Sequence, residues 1–302
     1  TGASGATIVA LGALLYPELM QAGYPQKFSL GLVTTSGSLG LLLPPSLPLI
    51  LYAIIAQQLP QGSGVTIEAM FKAGILPALL MIFLLSLYSL WVTRKHAIPL
   101  QAFSWSELKI AAKGAKWEIP LPFFVLGGIY SGFFAVSEAA AVTALYVTIM
   151  TVFIYKEISF KQLFSIMRES MVMIGAILLI LAVAMAFTNW LIDAEIPTRL
   201  FEFIKQHIDS KWTFLLLLNI FLLILGCFLD IFSASVIMIP LLLPIAIGYG
   251  IDPIHLGIIF LANMELGYCT PPVGMNLMIA SYRFKKSMME LYQTTIPFLL
   301  VL

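Results

Sequence analysis

Charge is what this sequence has least of. Only 16 basic and 15 acidic side chains occur among 302 residues (10%), against 60% apolar residues and a mean hydropathy of +0.99. Soluble domains carry about a quarter charged residues, so a chain this poor in charge cannot cover itself in water. It reads as an integral membrane protein. The net charge of +1 offers no basic stripe for a nucleic acid. Cysteine is almost absent as well: Cys227 and Cys269 both lie in apolar runs, with neither a disulfide framework nor metal-ligand spacing. The apolar stretches contain no His-Glu-x-x-His, no paired aspartates and no Ser/His arrangement, and no Gly-x-x-x-x-Gly-Lys loop appears. Neither intramembrane hydrolysis nor ATP-driven pumping is supported, and the chain is not expected to be an enzyme. It starts at Thr1 without Met or a signal peptide and stops inside the apolar run 296–302, so it is read as a piece of a larger membrane protein.

What is present is long uncharged sequence. Residues 28–67 and 170–192 carry no Asp, Glu, Lys or Arg; 119–155 carry only Glu138, 212–251 only Asp230 and 253–282 only Glu265. At roughly 20 residues per crossing, these stretches hold about ten passes or half-passes, an all-α integral membrane fold. Basic segments favour the cytoplasm, which assigns 94–116, 156–168 and 283–286 to that side and the uncharged 57–67 to the other. Segment 94–117, with Trp105 and Trp117 among its lysines, suits an amphipathic helix at the interface. The chain then leaves and returns across 119–155, reversing between Gly127 and Ser137. Residues 212–251 read as a re-entrant hairpin with its tip at Asp230–Ser235, because Pro240 and Pro244 interrupt the second limb.

A shift of 227 residues places Pro17 on Pro244, Gly23 on Gly250, Leu39-Gly40 on Leu266-Gly267 and Pro44-Pro45 on Pro271-Pro272. Shared leucines would mean little in so apolar a chain, whereas shared Pro and Gly spacing marks a repeat. The Asp230 tip falls on Ala3, making Thr1–Gly5 the tip of an equivalent hairpin. By the charge rule 28–52 runs outward and 256–282 inward, so the repeat has inverted topology, the construction of secondary transporters. The organisation that follows is a first repeat over 1–93, a cytoplasmic amphipathic segment over 94–117 and a second repeat over 118–302.

Each Leu-Gly-x-x-x-Pro-Pro element must interrupt its helix, since proline removes a donor and displaces the residue before it from the α region. The breaks free carbonyls beside Ser36, Gly37, Ser38 and Ser46 in one copy and Thr270 and Gly274 in the other. Such oxygens suit a dehydrated alkali cation, and half-helix N-termini favour an anionic solute. Asp230 reads as a sodium ligand, with a proton carrier as the variant and a solvated turn as the plain structural reading. Glu265 and Asn263 are able to hydrogen-bond within the helix bundle, Glu138 reads as a first-turn cap, and His96, His207 and His255 as interface residues. A channel and a purely structural subunit remain as rivals to a carrier.

Four stretches carry a resemblance: Gly2-Ala-Ser-Gly-Ala-Thr7, residues 35–50, residues 127–142, and Gly226-Cys-Phe-Leu-Asp230 through Thr270-Pro-Pro-Val-Gly-Met-Asn276. With them the chain resembles the large membrane (M) subunit of tripartite ATP-independent periplasmic (TRAP) transporters, departing from the family's Thr-Pro-Thr-Glu at Ala135-Val-Ser-Glu138. The resemblance implies a sodium-driven, elevator-type importer in the bacterial inner membrane. It implies two partners, a small four-helix membrane subunit and a periplasmic substrate-binding protein, and an organic acid such as a C4-dicarboxylate as solute. Carried onto this sequence, the first sodium site lies at Ser4 and Gly5 with Gly37 and Gly40, the second at Asp230 and Ser233 with Gly267 and Thr270. Pro44, Pro45, Pro271 and Pro272 make the breaks, and Ser36, Ser46, Ser235 and Asn276 face the solute between the tips. The alternative is a proton-coupled anion carrier or a channel without a binding-protein partner.

Overall fold

The computed structural model describes residues 4–62, 64–94 and 103–302. Within them the regular structure is helical, with no strand. Residues 1–3 of the first tip, and with them Ala3, lie outside the described residues, as do His96 and the first part of the 94–117 segment. Two compact units form: one from 1–99 together with 183–302, the other from 100–182.

In the first unit, α1 (Ser4–Gln21) leads to α2 (Gln26–Ser36), which stops before the first proline pair. A single 3-10 turn, Leu39–Leu41, bridges to α3 (Leu47–Gln57), and α4 (Ile67–Thr93) follows. The end of the unit repeats this order. Helices α10 (Lys211–Phe228) and α11 (Ile231–Gly248) meet at the tip, α12 (Pro253–Gly267) stops before the second proline pair, and α13 (Met275–Phe284) and α14 (Met288–Leu299) complete it. Adding 227 to the bounds of α1 gives those of α11, and the turns after them use Gly23 (φ +87°) and Gly250 (φ +70°). Positive φ is nearly free only for glycine.

The packing exchanges partners between the two halves. Helix α1 lies against α2 and α13, and α11 against α12 and α3; α14 lies on α2, and α4 on α12. Each half therefore buries its helices partly on the other. Ile8 and Leu30 from the start of the chain share a core with Leu277, Ala280 and Leu291 from its end, and Phe28 and Leu85 share another with Phe298. Lipid tails are as apolar as leucine, so close packing rather than water exclusion holds such helices together.

Two expectations need correction. Pro240 and Pro244 do not interrupt the second limb of the hairpin: both sit inside α11, which continues for 18 residues. Spaced four apart, they share one face of the helix, and neighbouring elements in a bundle absorb the freed carbonyls. In the second unit the reversal falls where expected, between α6 (Pro120–Tyr130) and α7 (Val136–Ile149), but α6 has only 11 residues. At 1.5 Å per residue it spans about 17 Å, too short to cross alone. Helix α5 (Trp105–Gly114) buries none of its residues. Helix α7 continues into a π-helical turn (Met150–Ile154), and α8 (Phe160–Asp193) carries exposed Val172, Leu179, Phe187 and Trp190. Helix α9 (Ile196–His207) then packs on α11.

Among the described residues, four helical stretches are long and apolar enough to cross a membrane: Ile67–Thr93, Val136–Ile154, Lys211–Phe228 and Ile231–Gly248.

Candidate functional site

The site grows from the two proline pairs. After Ser36 the chain leaves the α-helix, turns once at Leu39–Leu41 and re-enters it at Leu47 with Pro48 in the first turn. Proline there costs nothing, because the first-turn donors have no intrahelical partner. The second break runs from Tyr268 to Gly274 and has the same cause. A cis peptide joins the two prolines in both pairs.

Each tip meets a break. In the second copy, Gly226 and Gly267 touch so closely that a methyl group on Gly267 would lie 2.6 Å from the Gly226 Cα. The Gly274 N–H donates to the Cys227 carbonyl at 3.0 Å, and the Ile231 N–H to the Tyr268 hydroxyl oxygen at 2.5 Å. Asp230 caps α11: one of its oxygens, Oδ2, accepts from the N–H groups of Phe232 and Ser233, both at 3.0 Å. The Ile231–Tyr268 bond brings the start of α11 to the second break. Thr270 donates its hydroxyl to the Leu266 carbonyl at 2.9 Å. In the first copy a methyl group on Gly37 would lie 3.4 Å from the Ser4 carbonyl oxygen, so the start of α1 meets the first break. Gly5 faces Ile279 of α13 instead.

The four residues expected at the solute differ in exposure. Ser36 is half-buried, whereas Ser46, Ser235 and Asn276 are fully buried. Ser46 donates to the Leu41 carbonyl inside the first break, and Ser235 to the Ile231 carbonyl at 2.5 Å within the first turn of α11. The Asn276 amide donates to the Cys269 sulfur at 3.5 Å. Outside the breaks, Glu138 accepts from the Ala135 N–H at 2.9 Å, the cap expected of it. Asn263 bonds Asn219 of α10 at 2.6 Å. His207 Nδ1 lies 2.9 Å from the Phe203 carbonyl, and the His255 backbone N–H is held by the Asp252 cap at 3.1 Å.

Glu265 departs from expectation: read as hydrogen-bonding within the helix bundle, it is 1% exposed and neither of its oxygens has a hydrogen-bond partner. The backbone contact that Gly226 makes with Gly267 was not singled out from sequence. Close backbone approach, a frequent use of glycine, was the signal for it.

Apolar helices of crossing length, with two further helices interrupted at equivalent places and polar groups gathered at the interruptions, are the features of a membrane transport protein. The chain belongs to the DctM family, the DctM component of tripartite ATP-independent periplasmic transporters, whose model matches residues 1–302. It is 36% identical to the C4-dicarboxylate TRAP transporter large permease protein DctM of Rhodobacter capsulatus, covering 100% of this chain and 70% of that protein. It is 35% identical to the protein of the same name from Pseudomonas aeruginosa (100% and 69%), and 31% identical to the sialic acid TRAP transporter permease SiaT of Haemophilus influenzae (99% and 48%).

Proposed function

We propose that this TRAP large permease is the translocating part of a sodium-coupled importer for an organic acid, working in the bacterial inner membrane. A periplasmic binding protein delivers the solute, and a small four-helix subunit completes the membrane complex. The exchanged packing carries this reading: α1 on α13 is answered by α11 on α3, and α14 on α2 by α4 on α12. Such reciprocity is what a two-fold axis between two repeats produces, and inverted repeats underlie alternating access. The tips favour the re-entrant form of the hairpin, because Cys227 and Ile231 are tied to the break between α12 and α13, halfway along the interrupted helix. In operation, sodium at Ser4, Gly5, Gly37 and Gly40 and at Asp230, Ser233, Gly267 and Thr270 organises the tips. A carboxylate solute then binds between them, near Ser36, and the inner bundle moves across the membrane as an elevator.

Related permeases carry C4-dicarboxylate, isethionate, ectoine and sialic acid in their names. Three of the four are anions and ectoine is a zwitterion with a carboxylate of its own; broken helices present N-terminal N–H groups that suit an anionic head. A C4-dicarboxylate is the solute we favour.

The test is uptake by the full-length permease with its small subunit in proteoliposomes, supplied with the loaded binding protein. Uptake driven by an inward sodium gradient, together with counterflow of labelled solute, is the expected result. Uptake indifferent to sodium but driven by a proton gradient would favour the proton-coupled carrier. Flux without counterflow would make the protein a channel.

A further inference from the structure

Where the two halves cross lies a second group of oxygens, none of them counted among the tip-site ligands. Glu265, on α12, is 1% exposed, and neither of its carboxylate oxygens has a hydrogen-bond partner. Cys269, four residues further on, is fully buried; its thiol meets the Asn276 amide at 3.5 Å and has Glu265, Thr35 at the end of α2 and Ser38 just past it as neighbours. The thiol also reaches the Thr34 carbonyl at 3.8 Å, tying the two halves together at this point.

Two more oxygens here are buried without partners: Thr35 Oγ1, in a residue 1% exposed, and Asn276 Oδ1, in a residue 0% exposed. The Asn276 Nδ2 is used on Cys269, which leaves the oxygen as the open end of the amide. Ser38 lies beside the Glu265 carboxyl, yet its hydroxyl proton goes to the Thr35 carbonyl at 2.9 Å. Among the described residues the one ion pair is Lys286 with Glu290, so no basic side chain answers Glu265.

Buried polar oxygens without donors are costly, and a buried carboxylate without a counter-charge costs several kcal/mol. A cation resolves all of these orphaned oxygens at once, and a donor set made only of oxygen suits a hard one. The charge count fixes its valence. A single carboxylate balances a single positive charge, and no cluster of three acidic, His or Cys ligands exists among the described residues to hold a divalent ion.

We propose that Glu265, Thr35 and Asn276 hold one monovalent alkali cation at the junction of the two interrupted helices, separate from both tip sites. Its ligands come from α2, α12 and α13, so its occupancy locks one half of the unit to the other. Binding at this site does not depend on Asp230; its use in uptake rests on the sodium-coupled reading.

The experiment counts sodium. The purified full-length permease complex is equilibrated with radioactive sodium, and melting is followed as sodium chloride replaces choline chloride, for wild type, Glu265→Gln, Thr35→Val and Asp230→Asn. Glu265→Gln keeps the size of the side chain and removes its charge. It should bind one sodium fewer than wild type, and any residual binding at this position should need on the order of a hundredfold more sodium. Thr35→Val should raise the half-saturation by about fivefold, through the loss of one neutral oxygen. An unchanged sodium count and half-saturation in Glu265→Gln would overturn the site and leave a proton to neutralise the carboxyl. Should Glu265→Gln fail to fold, an unshifted Thr35→Val decides against the proposal in the same way. If Asp230→Asn keeps the full count while Glu265→Gln loses one, the tip site fails and this one stands.

Discussion

The two breaks share a backbone and differ in chemistry. Both follow a Leu-Gly-x-x-x-Pro-Pro element, both end a helix before the prolines and both restart one shortly after. Yet residues 28–67 hold no acid or base, whereas the second copy carries Asp230 at its tip and Glu265 just before its break. Pro and Gly dictate where the backbone opens, and side chains decide what charge the opening holds. The first break can offer a cation only carbonyls and hydroxyls; the second adds a carboxylate. Sodium binding in this molecule should therefore be lopsided, with the charged copy setting affinity.

The largest effect should come from removing that charge. Asp230→Asn keeps the cap on α11, since asparagine caps as well as aspartate does, and removes the negative charge. Sodium-driven uptake should fall by on the order of a hundredfold, while the melting temperature stays close to wild type. Asp230→Ala should lose the same uptake and, in addition, about 1 kcal/mol of stability with the cap. Asparagine taking up solute normally at low sodium would mean that Asp230 serves only as a cap.

A smaller difference separates the copies in tightness. Gly267→Ala would push a methyl group to 2.6 Å from the Gly226 Cα and 2.7 Å from its carbonyl carbon, and the backbone there cannot step aside. Gly5→Ala meets only the Cδ1 end of the flexible Ile279 side chain, also at 2.6 Å. Overpacking against backbone should cost about 3 kcal/mol and the second change under about 1 kcal/mol. Thermal melts of the two variants in one detergent check the order. Equal losses would show that the backbone contact between Gly226 and Gly267 yields as readily as the Ile279 side chain does.

Much of this was legible in the sequence, because backbone-determining residues act locally. The proline pairs located both breaks, the 227-residue shift of Pro and Gly matched the bounds of α1 to those of α11, and the acid Glu138 ahead of three alanines gave the first-turn cap. What local rules miss is what neighbours do. Pro240 and Pro244 look like breakers by themselves, but a bundle tolerates them inside α11. The gathering of Glu265, Cys269 and Asn276 with Thr35 and Ser38 joins residues more than 200 positions apart, and helical period tells which face each occupies but not what that face meets. The short α6 escaped for a related reason: an uncharged stretch bounds the length of a helix from above only.

The smallest effect concerns a contact that only the second copy possesses. Asn263 donates to the Asn219 oxygen at 2.6 Å across the seam between α10 and α12, and also to the Ile259 carbonyl of its own helix at 2.8 Å. The position 227 residues earlier is Ser36, which has no amide to offer. Hydrogen bonds between membrane helices are worth about 0.6 kcal/mol on average and up to about 1.7, because the separated helices find other partners. Asn263 already has one on Ile259, and Asn219 has one on the Leu215 carbonyl at 2.7 Å, so the pair belongs near the lower end of that range. A double-mutant cycle with Asn219→Ala and Asn263→Ala, read by melting of the full-length permease, should give a coupling of about 0.5 to 1 kcal/mol. Strict additivity would assign the α10–α12 seam to apolar packing alone and remove this polar contact from the differences between the two copies.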